Sequence, residues 1–176
     1  MLFRSTEKIQ ENQYDEQISL GSLMKFFRNN SDDFKKTKFP YLLVDKNKTN
    51  KYKKIIKNKK NIACGISWKS SNQQIGEYKS IDLKKIENIF ERNEINYVNL
   101  QYKGDEPNIN EQEIIDEKLT NIDNLDVYND LDSLAALIEA CNFVITTSNT
   151  TAHLSGALHK QTFLLLPIGL LNLYTH

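Results

Sequence analysis

Four consecutive polar side chains follow a short apolar stretch, residues 143–147, near the end of the sequence: Ser148, Asn149, Thr150 and Thr151. The apolar stretch predicts a buried strand, and the residues after the cluster predict a helix. The first turn of a helix has unpaired N–H groups at the positive end of the dipole, so added hydroxyl groups suit a phosphate or pyrophosphate. An ordinary N-cap would use only one of these side chains and would need no ligand.

A histidine and three small residues come next in the chain. His153 lies about one turn into the predicted helix, where it would either donate a hydrogen bond to a phosphate or serve as a packing or solvent residue. Ser155, Gly156 and Ala157 would let the helix lie close to the sheet.

A second polar cluster follows another apolar stretch, residues 62–68. Ser67 and Lys69 stand where that predicted strand ends, and Lys79 stands just before the next predicted helix. The carboxyl ends of parallel strands open on one edge of a sheet, so both clusters would face the same ligand. The lysines would supply positive charge to a diphosphate, although a lysine in a lysine-rich chain also occurs in loops without any ligand.

From residue 61 onward, short apolar stretches alternate with segments whose apolar residues have helical spacing. Such an alternation of strands and helices is typical of a parallel, doubly wound α/β sheet. The predicted strands are 62–68, 97–102, 125–128, 143–147 and 162–166, and the predicted helices are 81–90, 111–119, 131–141 and the segment after 148.

The bulk composition is that of a globular domain of 176 residues, 39% hydrophobic and 26% charged. No apolar run is long enough for a transmembrane helix, and the first residues contain no apolar signal-peptide core. Cys64 and Cys141 lack metal-ligand spacing and predict buried, reduced thiols, which favours a cytoplasmic setting. The glycine fingerprints of dinucleotide-binding and P-loop proteins are absent, as are a metal-ligand cluster and a credible Ser-His-Asp arrangement.

The first 60 residues are less regular. Residues 18–27 hold an apolar patch that predicts a short strand or turn and then a helix, and residues 39–44 predict an extended segment. Residues 35–60 carry many lysines and a single acid, Asp45. A basic run can bind nucleic acid, but this one lacks interleaved arginine and aromatic residues. We therefore expect a short helix near 52–56 within a solvated linker, and no nucleic-acid partner.

Several stretches together resemble the C-terminal half of a GT-B glycosyltransferase: "GISWKSSN", "KSIDLKKIENIF", "YVNLQY", "LDSLAALIEACNFVITTSNTTAHLSGAL" and "TFLLLP". They are most similar to the heptosyltransferase-like family nine domain that often follows tetratricopeptide repeats in bacterial proteins, a relative of the O-linked N-acetylglucosamine transferases. Two earlier stretches, "YDEQISLGSLMKFF" and "FPYLLVDKNKTNKYKKII", resemble the end of that family's N-terminal domain and its crossover. The resemblance implies a remnant N-terminal domain over 1–60 and a truncated Rossmann-like domain, with helices on both faces of the sheet, over 61–176.

The resemblance also assigns roles to residues. Asn149, Thr150 and Thr151, with Ser148 before them, match the helix start that binds the donor diphosphate, and His153 matches the histidine after it. Lys79 matches a basic residue that precedes the next helix. Gln101 ends a strand near the expected nucleoside pocket, and Ser67 and Lys69 lie in the donor-side loop. The family uses a nucleotide sugar as substrate and needs no cofactor or metal. His159 stands where the family has a glycine, and histidine can adopt the positive φ of that position.

The resemblance implies a glycosyltransferase domain that transfers a hexosyl or heptosyl group from a nucleotide sugar. The family's acceptor-side and catalytic-base residues precede the matching region, so we expect a fragment that is inactive alone and that belongs with an upstream tetratricopeptide-repeat region. The sequence assigns no sugar, base, acceptor, stereochemical outcome or catalytic residue. The alternative is a non-catalytic binding or interaction module with the same fold.

Overall fold

A computed structural model describes residues 15–36, 38–57, 62–72, 74–102 and 109–167. The chain divides into two compact units, Met1–Lys38 and Phe39–His176. The predicted family boundary between residues 60 and 61 stays a prediction.

Residues 15–36 of the first unit form three short helices. A 3-10 helix, Leu20–Leu23, leads into α1, Met24–Phe27, and α2 spans Ser31–Lys35. The side chain of Asn30 caps α2 by accepting hydrogen bonds from the N–H groups of Asp32 and Asp33. The sequence predicted a short strand or a turn and then a helix for the apolar patch. The structure has a 3-10 helical turn and then α1, and the aromatic residues Phe26 and Phe27 are exposed.

The second unit is built on a five-stranded parallel sheet, as the alternating pattern predicted. The strands are β1 (Ile62–Ser67), β2 (Ile95–Asn99), β3 (Leu119–Thr120), β4 (Phe143–Thr147) and β5 (Thr162–Leu165). Their order across the sheet is β3-β2-β1-β4-β5, and every pair is parallel. The chain adds strands outward from β1 and then returns to place β4 on the other side of β1. The strand order reverses there, and a crevice at the carboxyl ends of β1 and β4 follows from this topology.

Helices cover both faces of the sheet, which confirms the Rossmann-like α/β class. They are α3 (Lys46–Lys57), α4 (Gly76–Lys79), a 3-10 helix (Leu83–Glu91), α5 (Ile109–Lys118), α6 (Leu131–Ala140) and α7 (Thr150–Ala157). Successive strand residues point to opposite faces. Ala63 and Val144 join a core with α3 and α6, whereas Cys64 and Ile66 join a core with α5 and the 3-10 helix.

The lysine-rich run forms a longer helix than predicted. Asp45 accepts hydrogen bonds from the N–H groups of Asn47 and Lys48, which starts α3 at residue 46. Tyr52 and Ile56 are buried and contribute to the core that α3 shares with α6. Residues 46–57 are thus part of the packed unit, and the expectation of a linker is wrong for them.

The predicted strand at 125–128 is wrong. These residues form turns, in which the Asp126 carboxylate accepts hydrogen bonds from the N–H groups of Tyr128 and Asn129. Asn124 has a φ of 58°. Side-chain hydrogen bonds of this kind compete with strand pairing, and the third strand is instead Leu119–Thr120.

The two cysteines are free and buried, as predicted. Burial raises the pKa of the Cys64 thiol far above its usual range, and burial raises that of Cys141 to about 12. Within the described ranges, the structure contains no helix of the length and apolar character that a membrane span requires.

Candidate functional site

One asparagine joins the ends of the two central strands where the strand order reverses. The Nδ2 atom of Asn149, which follows β4, donates to Ser67 Oγ at 2.8 Å and to the Lys69 carbonyl at 3.1 Å. Ser67 is the last residue of β1, and Lys69 follows it. The two polar clusters that the sequence placed on one edge therefore meet there.

The same asparagine is the N-cap of α7. Its Oδ1 atom accepts hydrogen bonds from Ala152 N at 3.3 Å and from Thr146 Oγ1 at 3.0 Å. A helix start leaves its first N–H groups without helical partners, and this cap reaches the third of them. The capping alternative is thus realised by Asn149, and it does not account for Thr150 and Thr151.

The other members of the first cluster differ in exposure. Thr150 is exposed and Ser148 is half-buried, whereas the Thr151 side chain is only 4% exposed. Ser148 and Thr150 are therefore the members of this group that solvent reaches. His153 is exposed on α7, about one turn beyond the helix start.

Two of the three small residues of α7 are buried as the sequence predicted, and the third is not. Ser155 and Ala157 are buried, in accord with the expected close approach to the sheet. Gly156 is exposed, and a Cβ at this position would meet no atom of the described residues within 4 Å, so its small size serves no packing purpose against them.

Gln101 connects β2 to this network. Its Oε1 atom accepts three hydrogen bonds, from Ser67 Oγ at 3.1 Å, Trp68 N at 2.9 Å and Lys69 N at 2.8 Å. Ser67 thus accepts from Asn149 and donates to Gln101, which makes a continuous chain of hydrogen bonds from β4 to β2. Three convergent donors fix the orientation of the amide, and its Nε2 atom donates to the Tyr102 carbonyl at 3.5 Å.

The two lysines of the second cluster have different surroundings. The Nζ atom of Lys69 lies 2.6 Å from Glu111 Oε2, so this ammonium group is in an ion pair. Lys79 is half-buried at the end of α4. The Ser80 hydroxyl accepts a hydrogen bond from Ser70 N at 3.0 Å, which joins the segment after α4 to the loop after β1. Lys79 therefore belongs to the same group of loops.

Glu111 is a residue of this network that the sequence did not single out. Its Oε1 atom accepts a hydrogen bond from the Trp68 indole at 2.8 Å, and its side chain is 4% exposed. The helix that carries it was predicted, but a glutamate in the first turn of a helix also occurs as an ordinary partner of the dipole. The contacts of Glu111 with Trp68 and Lys69 become visible only when the structure places α5 beside the end of β1.

Within the part of the chain that the structure describes, no group of three His, Cys, Asp or Glu side chains is arranged to hold a metal ion. No family model, no curated protein and no solved structure matches the chain.

Proposed function

We propose that the second unit binds the diphosphate of a nucleotide sugar at the carboxyl ends of β1 and β4, and that it is the donor-binding domain of a glycosyltransferase. The observation that carries the proposal is the Asn149 side chain, which joins the two strand ends where the strand order reverses and also caps α7. Ligands of open α/β sheets bind at this position. The motif resemblance adds the nucleotide sugar as the substrate class.

The first turn of α7 is the proposed contact with the diphosphate. The N–H groups of Thr150 and Thr151 lie at the positive end of the helix dipole. Ser148 and Thr150 are accessible to solvent, so their hydroxyl groups would contact the same ligand, and Lys79 at the end of α4 would add a positive charge. Groups of this kind stabilise the charge that develops on a leaving diphosphate, which is the catalytic contribution we assign to the domain.

Asn149, Ser67 and Lys69 have a different role from the one that the resemblance assigns. Their polar side-chain atoms are engaged with other parts of the protein. We therefore assign them to the framework that holds the loops together. One N–H of Gln101 Nε2 donates to the Tyr102 carbonyl, and we assign the second as a hydrogen-bond donor to the nucleoside.

A non-catalytic binding module is the second candidate. The buried carboxylate of the site, Glu111, is held by Lys69 and Trp68. A carboxylate in such contacts serves structure rather than proton transfer to an acceptor. In this case the same ligand would bind and no sugar would be transferred.

Titration calorimetry with a panel of nucleoside diphosphates, their sugars and the free nucleosides tests the proposal. We expect at least one diphosphate to bind, and its nucleoside to bind more weakly, because most of the contacts are with the phosphates. A panel in which no diphosphate binds would contradict the proposal. Incubation of the bound nucleotide sugar with candidate acceptors then separates the two functions, since only the transferase releases the nucleoside diphosphate.

A further inference from the structure

Glu111 is a buried carboxylate whose position calls for an explanation. Of the side chains that the structure describes, it is the only Asp, Glu, Lys, Arg or His that is buried. Removing a carboxylate from water is costly unless charged or hydrogen-bonding partners compensate. Its two oxygens meet the Trp68 indole at 2.8 Å and the Lys69 ammonium at 2.6 Å.

The two residues that Glu111 holds are the first two after β1, and their backbones make the central contacts of the site. The Lys69 carbonyl accepts from Asn149 Nδ2 at 3.1 Å, and the N–H groups of Trp68 and Lys69 donate to Gln101. The Trp68 carbonyl accepts from Ile81 N at 2.9 Å. One turn is thus held through its side chains by α5 and through its backbone by three other segments.

We propose that Glu111 is a positioning residue for the diphosphate site. By holding Trp68 and Lys69 it fixes the carbonyl that orients Asn149, and Asn149 in turn holds the first turn of α7. Glu111 acts through this chain of contacts and does not touch the ligand. This inference rests on the proposed function, because the ligand is the diphosphate assigned there.

The sign of the effect distinguishes positioning from simple electrostatics. Glu111 is negative, so its charge alone disfavours a nearby anion. Replacement by the neutral glutamine would then strengthen diphosphate binding if charge were its only influence. A positioning role predicts the opposite, because a loosened turn no longer holds the helix start in place.

The test is the Glu111→Gln variant, titrated with the nucleoside diphosphate that the wild-type protein binds most tightly in the panel. We expect affinity to fall by about tenfold, which corresponds to about 1.4 kcal/mol. Glu113→Gln is the matched control, because it makes the same charge change at an exposed position of the same helix. Its affinity should remain that of the wild type.

Trp68 supplies a second readout, since it is the only tryptophan in the chain. Its indole is bonded to Glu111, so its emission reports on the turn. We expect saturating diphosphate to change the emission of the wild-type protein and to change that of Glu111→Gln by a smaller amount. If Glu111→Gln only lowered the stability of the protein, the folded and saturated variant would show the same change in Trp68 emission as the wild type.

A double variant covers the case in which Glu111→Gln does not fold. Lys69→Gln combined with Glu111→Gln removes both charges, leaves the net charge unchanged and abolishes the ion pair that holds the turn. It should show the same loss of affinity.

Three results would overturn the inference. Unchanged or tighter binding in folded Glu111→Gln would do so, as would an equal loss in Glu113→Gln, and both would leave the proposed function standing. Absence of binding to every diphosphate in the wild-type protein would instead remove the proposed function and the inference with it.

Discussion

Asn149 Nδ2 and Ser67 Oγ lie 2.8 Å apart, although 82 residues separate them in the chain. This contact joins the end of β4 to the end of β1. Because Ser67 also donates to Gln101, the ends of three adjacent strands share one chain of hydrogen bonds. The edge of the sheet where a ligand is expected is therefore fixed before any ligand arrives.

Exchange of Asn149 for aspartate separates its two roles. Asn149→Asp keeps an oxygen for the helix cap but loses the donor to Ser67 and to the Lys69 carbonyl. We expect the free energy of unfolding to fall by about 1–3 kcal/mol, because the carbonyl loses its partner and faces a negative charge. Urea unfolding followed by circular dichroism measures this change.

The control for Asn149→Asp is the reverse substitution, aspartate to asparagine, at the N-cap of α6. Asp130 caps α6 by accepting from Ser133 N at 2.9 Å, and asparagine and aspartate cap about equally well. Asp130→Asn should change stability by no more than about 0.5 kcal/mol. Equal stability of Asn149→Asp and the wild type would show that the bridge between the strands contributes nothing.

Replacement of two glycines by alanine should change the free energy of unfolding in opposite directions. Gly65 lies in the middle of β1, where a Cβ would collide with the Leu100 side chain. We expect Gly65→Ala to destabilise the protein by about 1–3 kcal/mol, the usual cost of overpacking a core. Gly156→Ala should stabilise it by about 0.5–1 kcal/mol, because it lowers the backbone entropy lost in the helix and its Cβ meets no atom of the described residues.

Urea unfolding of both variants checks this pair. A destabilised Gly156→Ala variant would mean that α7 is packed against something that the described residues do not include. A neutral Gly65→Ala variant would mean that the sheet adjusts more easily than the contact with Leu100 indicates.

The parts of the fold that were predictable have a strong local signal. The β4 prediction has the correct bounds, because its apolar run stands between polar residues, and α6 has a clear helical spacing. In these places the local sequence preference and the tertiary structure agree. The φ of 56° at His159 was instead expected from the resemblance and not from a local pattern.

The parts that were missed depend on partners far away in the chain. β3 has only two residues and exists because it pairs with Tyr97 and Val98 of β2. Glu111 is recognisable only beside Trp68, which lies 43 residues earlier. No local pattern distinguishes such residues from their neighbours, so these contacts could not be predicted from the sequence, whereas the start of α7 after Asn149 could.

The buried thiols predict a pH dependence of stability. Burial raises the pKa of Cys141 to about 12, above the value of about 8.5 of an unfolded cysteine. Its neutral thiol therefore contributes stability that is fully present below pH about 8.5 and is lost as the pH rises toward 12. We expect the free energy of unfolding to fall less steeply between pH 8 and pH 10 in Cys141→Ala than in the wild type. Parallel curves for the two proteins would contradict the assigned burial of this thiol.

The first turn of α7 gives the most direct test of the ligand site. Replacing Thr150 and Thr151 together by valine preserves their shape and removes both hydroxyl groups. A hydrogen bond to a charged group contributes about 1.5–3 kcal/mol, and a neutral one about 0.5–1.5 kcal/mol. The exposed Thr150 carries most of this effect, since Thr151 is nearly inaccessible. Affinity for a nucleoside diphosphate should fall by about tenfold to a hundredfold, while that for the free nucleoside changes little. Because Asn149 provides the cap, the double variant should stay folded with little loss of stability. Calorimetry and urea unfolding of the same preparation measure both quantities, and unchanged diphosphate affinity in the folded double variant would remove the phosphate from this helix start.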